Sequence, residues 1–180
     1  MATSETIRIQ AQLMSSLQID KATCLNWIKD QVENIASDHF LAAKYVQEKF
    51  STSASYETYI PGRKIVLIDK VLTDQRIITS RYDFHGKELT MFEPGEYILM
   101  YYSIPDLPAT RDEEIDLPIP YANALKFYVA ARIRARLTGQ NDPNAVSFYE
   151  EYTNAIKEAD NAMNQMRRRY KRMPPARRGI

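Results

Sequence analysis

From Pro120 to Met173 the chain spells out two helices and the turn between them, and the second helix carries an apolar residue at every third or fourth place. Tyr149, Tyr152, Ile156, Ala159, Met163, Met166, Tyr170 and Met173 are spaced alternately three and four apart, which lines them along one helix face. Such a stripe has to be covered, by another helix or by another subunit. Gly139 can take the left-handed conformation that stops the preceding helix, and Asp142-Pro143 offers an N-cap and a first-turn proline for the next. The preceding helix is expected from about Pro120 to Leu137 and is lined with alanines, which permit close approach. Its Arg132, Arg134 and Arg136 suit the negative end of the helix dipole. Burying each large residue of the facing seam contributes roughly 1.5–3 kcal/mol, so a charge at Ile156 should disturb the pairing more than any single substitution in the basic tail.

The end of the stripe runs into Arg167, Arg168, Arg169, Lys171, Arg172, Arg177 and Arg178, with Pro174-Pro175 marking where a helix cannot easily continue. These seven cations hide inside a formal net charge of +1. Residues 1–166 hold the remaining seventeen Lys and Arg against all twenty-three acids, a net charge of about −6. The two parts would attract different partners. Twelve tyrosines suit surfaces that become buried, since a phenol is a flat apolar body with a hydroxyl that still reaches a partner.

Upstream, residues 1–19 read either as a loose arm or as a short helix. A clearer helix follows from Asp20, a capping residue, through Leu25, Ile28, Val32 and Ile35 to about Ser37. Residues 40–104 change period and read as an antiparallel β-region inserted between helices. Candidate strands are 43–50, 55–60, 64–72, 76–82, 88–92 and 96–103, with turns at Pro61-Gly62 and Pro94-Gly95 and a hairpin connection at Asp83, Phe84, His85 and Gly86. The unbroken apolar runs Ile65–Ile68 and Tyr97–Tyr102 predict strands covered on both faces, with some cover available from another subunit. An acidic, proline-rich loop from Pro105 to Pro120 then leads into the helical hairpin. The expected fold is therefore α+β and mainly helical: residues 1–39 and 105–166 a helical body, 40–104 an inserted β-domain, and 167–180 a basic tail after a long C-terminal helix.

Reactive chemistry is sparse. His39 and His85, the two histidines, begin no metal-ligand spacing, and Cys24 falls within a helical core pattern with no activating neighbour in sequence. The acids among Arg111–Asp116 lack the spaced glycine and terminal glutamate of a calcium loop. Five glycines form no phosphate-cradling cluster. The expectation is no catalytic residue, no metal, no cofactor and no enzymatic activity. A single cysteine predicts a reducing compartment, and no stretch is apolar enough to predict secretion or membrane spanning.

The basic tail has three readings: a solvated terminus, a nucleic-acid contact, or docking on an acidic protein surface. The absence of interleaved aromatics weakens the second, and the planar fork of arginine favours the third. The approach Leu117-Pro-Ile-Pro-Tyr-Ala-Asn-Ala-Leu, the helix Tyr-Val-Ala-Ala-Arg-Ile, and Gly-Gln-Asn-Asp-Pro before Phe-Tyr-Glu-Glu-Tyr resemble the head-to-tail adaptor, or connector, proteins of tailed bacteriophages, the class that includes the tail tubular A proteins. The likeness extends over most of residues 20–173 and is strongest from Leu117 to Ile156.

That resemblance implies a structural virion protein at the capsid vertex, between head and tail, assembled in the host cytoplasm. It implies a helical bundle with an inserted β-domain, forming a homo-oligomeric ring, commonly a dodecamer, beneath the portal protein. The ring extends and seals the DNA channel, offers tail or nozzle proteins a platform, and lets genomic DNA pass without sequence-specific binding or any membrane. Arg167, Arg168, Arg169, Lys171, Arg172, Arg177 and Arg178 would be the portal-docking element, and Tyr149, Tyr152, Ile156, Met163, Met166 and Tyr170 would pack helices or subunits. An acidic body would also keep the channel from gripping a phosphate backbone. The alternative is a small nucleic-acid-binding protein using the same tail; a neck or tail-completion protein further from the portal is a third possibility.

Overall fold

The computed structural model describes residues 2–172, and in them the chain is a mixed α+β protein with four α-helices and two antiparallel sheets. The N-terminal segment is helical: α1 runs Ser4–Ser15. Thr3 starts it, its hydroxyl accepting from the Thr6 amide at 3.2 Å, and Ser16, at φ 56°, turns the chain out of it. Arg8 reaches back one turn and donates twice to Glu5, at 2.9 and 2.7 Å, which holds the Glu5 carboxyl down at about 2. Helix α2 spans Lys21–Asp38 and begins at the expected cap, with the Asp20 carboxylate accepting from the Thr23 amide at 2.8 Å.

A short 3₁₀ turn, Phe40–Ala42, leads into the strands. These are β1 (Lys44–Thr52), β2 (Glu57–Tyr59), β3 (Ile65–Thr73), β4 (Ile78–Thr79), β5 (Tyr82–His85), β6 (Glu88–Met91) and β7 (Gly95–Ser103). One sheet has the order β1-β7-β3-β4 and the other β2-β6-β5. Phe50, Val71, Leu89, Met91, Tyr97, Leu99 and Tyr101 form one core cluster drawn from both sheets. The rings of Phe50 and Tyr59 stack inside it at 4.2 Å.

Three expectations need correction here. Asp83, Phe84 and His85 belong to the strand Tyr82–His85 rather than to the connection: Tyr82 faces Met91 and Phe84 faces Leu89, and the reversal falls after it, where Gly86 takes φ +62°. The expected strand 76–82 shrinks to Ile78–Thr79, because Arg76, at φ 60°, sits in a turn closed by hydrogen bonds between Thr73 and both Arg76 and Ile77. Within the single chain the apolar runs lack full cover on one face. Along β7, Tyr97, Leu99, Tyr101 and Ser103 are buried while Ile98, Met100 and Tyr102 are half-buried, and Leu67 on β3 is 47% exposed. The second face carries large apolar residues without full cover, which is why alternation was hidden in the sequence.

The remaining helices are α3 (Ile119–Thr138) and α4 (Pro143–Arg172). Pro118 and Pro120 bracket the start of α3, and Gly139 ends it with φ 108° and ψ 155°, a positive φ but an extended rather than left-handed helical conformation. Asp142 then caps α4 through the amides of Asn144 and Ala145, at 2.7 and 3.4 Å. The chain divides into two compact units, Val32–Asp106 holding both sheets, and the described residues on either side of it holding α1, α3, α4 and most of α2.

Candidate interaction surface

In the helical unit α3 packs against both α1 and α4. Ala122, Ala124, Ala130 and Ala131 are buried along α3, so α4 can lie close, and Tyr152, Ile156 and Ala159 of α4 are 7, 6 and 2% exposed. Two polar ties fix the pairing. Tyr121 donates to Asp160 at 2.6 Å, and the buried Gln31 amide donates to the Tyr152 hydroxyl at 2.5 Å. Burial and the accepting carboxylate together push the Tyr121 phenol up.

The heptad stripe therefore splits in two. Tyr152 and Ile156 pack inside the chain and Met163 is half-buried, whereas Tyr149 and Met166 are 55 and 48% exposed. Tyr149 tilts against the Tyr152 ring at 5.8 Å and, with Val146, Tyr128 and Ala131, lines a groove of about 720 Å³ between α3 and α4. Exposed tyrosine and valine beside an open groove are what a partner surface offers.

Arg167 and Arg168 are exposed on the last turns of α4, where cations face the negative end of the helix dipole. The backbone of Arg169, Tyr170, Lys171 and Arg172 continues the same helix. The side chains of those four, and Met173, Arg177 and Arg178 entirely, lie outside the described residues. The acidic loop before α3 is partly structural: Glu5 donates its amide to the Arg111 carbonyl at 2.9 Å, Thr3 pairs with Glu114, and Glu113 accepts from the amides of Ala109 and Thr110 at 2.7 and 3.3 Å.

The groups considered for reactive chemistry sit as follows. Cys24 is 1% exposed, and burial pushes its thiol up to about 12. His85 ends β5 with its imidazole 3.0 Å from Asp83, and His39 precedes the 3₁₀ turn. Among the described residues no group of three or more His, Cys, Asp and Glu could hold a metal ion, and no helix is long and apolar enough to cross a membrane.

Sequence reasoning missed one cluster in this unit. Arg132 and Arg136 of α3 both lie over the Trp27 ring of α2, 5.3 and 5.9 Å from its centroid. Their four-residue spacing was visible, but the tryptophan lies more than a hundred residues upstream. Arg134, between them, turns to Asp142 at 3.8 Å. Compared with known proteins, the chain matches no family model and no curated protein.

Proposed function

We propose that the chain is a structural virion protein, a head-to-tail adaptor that joins a ring beneath the portal and fastens to it through the basic end of α4. The observation that carries this reading is the continuity of α4: one helix runs from the Asp142 cap, through the residues that pack on α3, to Arg172, so the packed hairpin and the backbone of the first five tail cations belong to one helix. A cation cluster on a helix presents its forks to an acidic partner at smaller ordering cost than one on a loose terminus. In this reading the helices form a bundle that makes the ring body, and the strands are a domain inserted in it, turned to tail proteins or neighbours. The net charge of about −6 over residues 1–166 lets DNA pass without adhesion. Repetition around a ring converts weak contacts into firm attachment.

Replacing Arg167, Arg168, Arg169, Lys171, Arg172, Arg177 and Arg178 with serine leaves the apolar stripe intact, unlike truncation after Met166, which also removes Tyr170 and Met173. The serine variant should keep the helical signal of the wild type and lose co-sedimentation with purified portal protein. Wild-type retention on portal would reject the docking role. DNA binding by the isolated chain that is strong and falls steeply with salt would favour the nucleic-acid reading instead.

A further inference from the structure

Arg132 and Arg136 stand one turn apart on α3 and, with Trp27, Ala135 and Gln140, line a concavity of about 270 Å³. Like charges at this spacing repel, and the indole ring offsets only part of that. Among the described residues neither guanidinium has a carboxylate within 4.0 Å. Asp20, whose carboxyl feels Arg136, is engaged in capping α2, and Arg136 reaches the Thr23 hydroxyl at 3.5 Å. The shelf thus holds two cations in place and supplies no close counter-ion.

A matching surface lies on α4 of the same chain. Glu151, Asn154 and Glu158 are exposed and spaced three and four apart. At the angular step of a helix they fall roughly 130° on average away from Tyr152, Ile156 and Ala159, the residues packed inward. The step from Asn154 to Glu158 repeats that from Arg132 to Arg136, about 6 Å along a helix axis. The packed face of α4 meets α3, and within one chain neither Glu151 nor Glu158 comes within 4.0 Å of the Arg132 or Arg136 guanidinium, although Glu150 lines the same groove as Arg132.

We propose that the chain self-associates head to tail, the Trp27–Arg132–Arg136 shelf of one copy receiving the Glu151–Glu158 row of the next. Guanidinium forks match carboxylate and amide oxygens, and an interface between two different faces propagates from copy to copy until it closes. The inference rests on the ring-forming reading above and deepens it by naming the faces that meet.

Two charge-reversed full-length chains test it: one with Arg132→Glu and Arg136→Glu, the other with Glu151→Arg and Glu158→Arg. All four positions are exposed, and far-ultraviolet circular dichroism checks that each variant folds. In sedimentation velocity over a concentration series, the wild type should associate and each variant alone should associate at least about tenfold more weakly. An equimolar mixture of the two should recover association, because each restores the complement of the other. A wild type that stays monomeric, a variant that associates like the wild type, or a mixture without recovery would each overturn the inference. Portal co-sedimentation of the wild type reports separately on the docking role, so the two readings can fail independently.

Discussion

Glu48 sits where the two sheets share a polar group. Its carboxylate accepts from the hydroxyls of Tyr101 and Tyr59, at 2.6 and 2.7 Å, and from the Gly62 amide at 3.2 Å. Burial works to raise its pKa, but these donors and the nearby Arg63 outweigh it and hold the group below its ordinary 4.5. Burial and the shared carboxylate push the Tyr59 phenol up to about 12. A depressed carboxyl contributes stability that is complete above its unfolded value and is lost as pH falls through its folded one. Glu48→Gln should therefore cost about 1–3 kcal/mol near neutral pH. The gap between variant and wild type should narrow as pH drops below 4.5, which urea melts at stepped pH will measure. Cys24 gives a second residue-scale prediction. With its thiol buried and pushed up, alkylation at mildly alkaline pH should be slow in the native chain and fast in urea. The burial of Cys24 was legible from its place in the helix stripe. The Glu48 cluster was not, since its donors come from two distant segments, around residues 59–62 and at Tyr101, and no local period encodes that meeting.

Among the elements, the helical hairpin was the most legible because its signals are local: a glycine stop, an Asp-Pro start and a stripe repeating every three to four residues. The stripe could not say which of its members meet a partner within the same chain, and Tyr149 and Met166 turned out exposed. Ile156 lies in the packed part, so Ile156→Ala should cost about 2–4 kcal/mol. Ile156→Asp should cost more, because it strands a charge in the seam. Single substitutions at Arg167 or Arg168, both exposed, should stay within about 0.5 kcal/mol. Tyr152→Phe removes the acceptor from the buried Gln31 amide and should cost about 1–2 kcal/mol. Thermal melts followed by circular dichroism rank all of these. Strands were less legible where turns intervene. Residues 83–86 looked like a connection because Asp, His and Gly cluster there, yet Tyr82 and Phe84 alternate inward against Met91 and Leu89.

For the molecule as a whole, charge was the readable property: an acidic body and a uniformly cationic end are counted directly from the residues. The division between the sheet-bearing unit and the helical one begins at Val32, inside α2, where no turn signal marks it. The Trp27 shelf depends on residues over a hundred positions apart, so it emerges only with the fold. The central claim is that the cationic end of α4 fastens copies of this chain to a portal. Cryo-electron microscopy of the full-length chain mixed with purified portal tests it most directly. Density for the chain is expected on the tail-facing side of the portal, with the C-terminal end of α4 at the contact. Portal particles bare of the chain, or chain density joined to them through the sheet-bearing unit instead, would contradict it.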